Sequence, residues 1–62
     1  MTTYFNRTIE EQELIRKAYE FEVEAIRRNS AERNPFFNAV LSMDDGEEVW
    51  KNINFAVEMA FN

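Results

Sequence analysis

The sequence predicts an all-α fold: two long antiparallel helices with a short connecting helix, completed by homodimerisation. Three observations carry this expectation. No glycine or proline interrupts residues 9–33, and an uninterrupted stretch of that length reads as helix. Toward the C-terminal end, the apolar pairs Val49/Trp50, Ala56/Val57 and Ala60/Phe61 recur at helical spacing and break the alternation of a strand. The 62 residues are 45% hydrophobic and 15% aromatic, with no cysteine and no histidine. So short a chain buries only about 60% of the surface its unfolded form exposes. Disulfides are excluded, and zinc, haem and most transition-metal sites are disfavoured. Self-association is then the staple that remains.

The chain is expected to form one small domain, residues 1–62, with helices over about 8–30, 35–43 and 46–61 and an extended tail over 1–7. The first helix opens at Thr8, where Thr-Ile-Glu-Glu fits a capping box: Thr8 accepts from the Glu11 amide and the Glu11 side chain returns to Thr8. Glu10, Glu11 and Glu13 suit the positive end of the helix dipole, and Arg27 and Arg28 the negative end. Glu13 with Lys17 and Glu24 with Arg28 have the favoured i,i+4 order. Residues 19–25, YEFEVEA, alternate as a half-buried strand would. No turn residue frames them, so the helix reading prevails. On that helix Leu14, Ile15, Ala18, Phe21 and Ala25 form one stripe, which Tyr19, Val23 and Ile26 widen to nearly half the circumference. Glu22 falls inside this arc, either at its edge or buried with a partner.

In the middle segment Asn34 suits an N-cap and Pro35 a first helical residue, with Phe36, Phe37, Val40 and Leu41 on one side. An irregular apolar plug is the alternative. Asp44-Asp45-Gly46 reads as a break. Asp45 followed by Glu48 then opens the last helix, although the alternation in residues 53–61 leaves a strand pair as a rival over 47–61. Val49, Trp50, Ile53, Ala56, Val57, Ala60 and Phe61 form its apolar stripe, and Phe55 and Met59 lie one turn apart on the face away from it. Tyr4 and Phe5 either fold back onto the core or pair as a short edge strand.

Twelve acidic and seven basic residues give a net charge of −5. That balance disfavours direct binding to nucleic acid or anionic lipid and is compatible with a basic protein surface. The opening MTTYF has no signal-peptide pattern, and no apolar run approaches the ~20 residues of a membrane span. The expectation is a soluble cytoplasmic protein. No catalytic residue, metal site or cofactor is expected. Ser30 and Ser42 have no histidine to act as base, the single glycine excludes a phosphate loop, and DDGEE lacks the alternating ligands of a calcium loop.

The candidate protein-binding residues are Tyr19, Val23, Phe36, Phe55 and Met59, with the acids Glu20, Glu24, Glu47 and Glu48. Apolar side chains outside the main stripes and rimmed by charge are what interface centres hold. For Tyr19 with Val23 and Phe55 with Met59 the competing reading is cover by the middle helix or the tail. The expected function is a non-enzymatic protein-binding module. It would be a small acidic regulator or inhibitor docking on a larger protein, with nucleic-acid-handling proteins as natural targets because carboxylates can occupy their phosphate-binding places. Tiny cysteine-free acidic helical proteins are common among phage and mobile-element inhibitors, anti-CRISPR-like proteins included; this is an analogy of type that no motif carries. Two alternatives stand beside it. One is a structural or assembly subunit acting by self-association. The other is a metal-dependent nucleotide hydrolase using Glu20 and Glu24 with Mg²⁺ or Mn²⁺.

Overall fold

Thr8 starts the first helix as its spacing from Glu11 predicts. Its hydroxyl accepts from the Glu11 amide at 3.1 Å, and its own amide donates to the Glu11 carboxylate at 3.2 Å. The structure, a computed structural model, describes residues 7–61. The expected contacts of Tyr4 and Phe5 lie outside the described residues. The chain order is α1 (Ile9–Arg27), α2 (Phe37–Leu41) and α3 (Gly46–Ala60). No strand occurs among the described residues, so the alternation in 19–25 is carried on a helix, as is that in 53–61 up to Ala60.

Helix α1 stops at Arg27 rather than continuing to about residue 30. Asn29 takes the left-handed conformation, φ 55°. Its amide donates to the Ile26 carbonyl at 3.0 Å, and the Ser30 amide donates to the Ala25 carbonyl at 2.8 Å. This paired return of two amides is a Schellman motif. Asparagine tolerates the left-handed region better than other side chains that carry a Cβ.

Helix α2 is shorter than its expected span and Asn34 is not its N-cap. Phe36 holds that position and offers no side-chain cap. Asn34 is buried instead. Its Oδ1 accepts from the Phe36 amide at 2.9 Å, while its Nδ2 donates to the Ala18 carbonyl and to the Glu22 carboxylate, each at 3.0 Å. One side chain thus turns the chain ahead of α2 and fastens that turn to the middle of α1. Glu22, the local conflict within the apolar arc, has the Asn34 carboxamide as its partner.

Gly46 opens α3 from a buried position against the end of α2. A Cβ there would stand 2.3 Å from the Val40 carbonyl oxygen and 2.6 Å from the Leu41 Cα. The absence of a side chain lets two backbones meet. Asp45 is the N-cap residue by position, yet its carboxylate makes no cap. It accepts from the Arg7 guanidinium instead. That ion pair joins the N-terminal ends of α1 and α3, so the antiparallel pairing expected for the two long helices gains no support from it.

The three helices pack on one another. Ala18, Val40, Val49, Ile53 and Val57 form the buried centre, with Leu14, Ile15, Tyr19, Val23, Phe36 and Trp50 packed around it. The largest side chain buried without remainder is Val40. Among the described residues, two edge-to-face aromatic contacts flank the centre, Phe37 on Trp50 with centroids 4.8 Å apart and Phe21 on Phe36 at 6.4 Å.

Candidate protein-binding face

Helix α3 sends Val49, Ile53 and Val57 into the core. At ~100° per residue, Phe55 and Met59 then project from the opposite side of the helix. Both are exposed, at 64% and 57%. They stand one turn apart and form a short apolar ridge. Lys51 and Glu58 border it on one flank, and Glu48 and Asn52 continue its line toward the start of the helix, all four exposed. Phe61, just past the end of α3, is also exposed. The sequence had assigned it to the core stripe.

Of the interface candidates, Tyr19, Val23 and Phe36 are placed against the core. Each is half-buried against the buried centre. The reason is geometric. Helix α1 packs on both α2 and α3, so a wide apolar arc finds cover on two sides. Phe36 lies against Phe21 in addition. The two consecutive phenylalanines divide their work, with Phe36 facing Phe21 and Phe37 facing Trp50.

The acidic candidates all lie on the surface. Glu20 and Glu24 are exposed on α1, and Glu24 pairs with Arg28 at 3.4 Å. Along with Phe21 and Phe36 they line an open groove of roughly 480 Å³ between α1 and the segment that leads into α2. Glu47 and Glu48 are exposed in the first turn of α3, where its dipole favours negative charge. The structure therefore brings Glu20 and Glu24 together with Phe36, while Glu47 and Glu48 sit on the other long helix. Among the described residues no three side chains of ligating type converge to hold a metal ion.

Two features were missed in the sequence. One is the Arg7–Asp45 pair. Its partners are 38 residues apart and no local pattern links them. The Arg7 guanidinium, donating to the carboxylate, holds the Asp45 carboxyl below its ordinary value, against a smaller opposing effect of desolvation. The other is the Lys51/Glu58 flank, whose seven-residue spacing was on view. No helix among the described residues is long and apolar enough to cross a membrane. No protein-family model, curated protein or solved structure matches the chain.

Proposed function

We propose that the protein is a non-enzymatic protein-binding module, a small acidic regulator or inhibitor that docks on a larger, basic-surfaced protein. The observation that carries the reading is the ridge of Phe55 and Met59. A phenylalanine and a methionine at 64% and 57% exposure, on the side of a helix opposite its core face, are costly to leave in water and are what interface centres hold. The carboxylates supply the choice of partner. Glu20, Glu47 and Glu48 make no ion pair among the described residues, so their charge is available to a basic surface. A nucleic-acid-handling protein offers such a surface wherever it would otherwise meet phosphate.

Capture of the tagged full chain from its source cells, followed by mass spectrometry, tests this. One larger protein is expected. Its recovery should fall with added salt, and should fall again when Glu20, Glu24, Glu47 and Glu48 are changed to Gln together. Recovery of nothing at low salt, from a chain that also fails to self-associate, would remove the proposal.

A second reading, an assembly subunit that works by self-association, is favoured by the modest size of the fully buried side chains.

A further inference from the structure

The ridge on α3 is bordered by charges that complement their own copies. Lys51 and Glu58 are seven residues apart, which is two helical turns on one flank, with Phe55 near the midpoint. Both are exposed. Neither makes an ion pair among the described residues, although Glu47 stands one turn before Lys51. A cation four residues before an apolar centre and an anion three residues after it fit a two-fold axis beside that centre, because the axis exchanges the two ends.

We infer that the ridge is covered by a second copy of this chain, with the two α3 helices antiparallel about an axis beside Phe55. This rests on the reading of the ridge as a protein contact, and it makes a second copy the occupant of the ridge in place of the larger protein, which is left the carboxylates to dock on. Each Lys51 then falls beside the Glu58 of the other copy, giving two pairs for one arrangement. The Phe55 rings lie against each other at the axis, with a Met59 beside each. A parallel arrangement sets the charged flank against the opposite flank of the other helix, where Ala56 stands, and forms neither pair. Closure in this way hides the largest exposed side chains of α3 and leaves Glu20 and Glu24, on α1, free to meet a larger protein.

Sedimentation equilibrium of the full chain, with charge-exchange variants, tests the arrangement. The unaltered chain should sediment as a dimer at micromolar concentration. Phe55→Ser should give a monomer whose helical circular dichroism persists. Lys51→Glu and Glu58→Lys should each raise the dissociation constant by roughly ten-fold, since both symmetry-related pairs turn repulsive. The double exchange should restore it. A monomer at high micromolar concentration would overturn the inference, as would a dimer indifferent to Phe55→Ser, or one in which the double exchange fails to rescue. The broader reading fails separately. A monomer that still captures a larger protein keeps the binding module and removes the dimer, whereas a monomer that captures nothing removes both.

Discussion

Asn34 and Ala18 are joined across sixteen residues by a hydrogen bond from the Asn34 carboxamide to the Ala18 carbonyl, 3.0 Å long. Ala18 is a wholly buried residue of α1 and Asn34 is a nearly buried polar side chain. The bond therefore lies where the returning chain meets the core. A buried carboxamide is tolerated only when its donors and acceptors are used. Asn34 uses its Nδ2 on Ala18 and Glu22 and its Oδ1 on the Phe36 amide.

Replacing Asn34 by Asp keeps the shape and the acceptor for Phe36 but deletes both donors. It also sets a second carboxylate against Glu22. The expected loss is about 2–3 kcal/mol at neutral pH, and part of it should return on acidification as the new acid takes a proton. Urea unfolding of Asn34→Asp at two pH values reads this directly. A variant as stable as the parent at neutral pH would show that Asn34 does not hold the chain to α1.

Gly46 is the second point where one atom decides the packing. Alanine is the better helix former by about 1 kcal/mol, so propensity alone predicts that Gly46→Ala stabilises α3. The Val40 carbonyl oxygen, 2.3 Å from where the Cβ would lie, predicts the reverse. The obstacle is backbone, so α2 and α3 must separate. The net cost should be about 1–3 kcal/mol, with a lowered melting temperature as the readout. A raised melting temperature would mean that the α2–α3 junction yields without penalty.

The parts of this fold that were legible in sequence are those set by near neighbours. Thr8 and Glu11 fix the start of α1 from three residues apart, and the apolar spacing of Val49, Ile53 and Val57 fixes the inward face of α3. The end of α1 was legible in principle, since Asn29 is a residue that accepts the left-handed cap. The run of arginines before it drew the boundary outward. What the sequence could not carry is the choice among partners at long range. Asn34 has the composition of a cap and becomes a buried clamp because Ala18 and Glu22 are within reach. Asp45 likewise gives its carboxylate to Arg7 instead of to its own helix. Tyr19 and Val23 looked unpartnered because a single helix cannot show that two neighbours will pack on it. Phe55 and Met59 differed in lying on the far side of a helix whose inward face was already full.

Trp50 and Phe37 should be energetically coupled. Their rings meet edge to face at 4.8 Å, with 78° between planes, and Trp50 is half-buried rather than enclosed. Trp50→Ala should cost about 2–4 kcal/mol, toward the lower end of what large aromatic truncations cost in a core. For a chain whose core supplies only about 3–5 kcal/mol, that leaves little folded protein to measure. A cycle built from Trp50→Leu and Phe37→Leu keeps the fold measurable. It should return a coupling of about 0.5–1.5 kcal/mol, the amount an aromatic pair adds beyond burial. Simple additivity of the two changes would mean that the rings merely adjoin.

Acid should weaken the junction of α1 and α3 through Asp45. The Arg7 guanidinium donates to its carboxylate and holds its folded-state value below the ordinary one, with the charge of Arg7 adding to the effect and desolvation opposing it. An acid that ionises more readily when folded favours the fold once it is ionised. Its contribution is therefore complete above the unfolded-state value of about 3.9. It is lost as pH falls through the lower value of the folded state. The carboxylate is partly exposed, so salt should reduce the effect. Urea midpoints taken from about pH 6 downward should fall more steeply for the unaltered chain than for Asp45→Asn, which has no proton to gain. Added salt should bring the two curves closer. Parallel curves for the two proteins would show that the pair closes without favouring the folded chain, and that the ends of α1 and α3 are held together by packing alone.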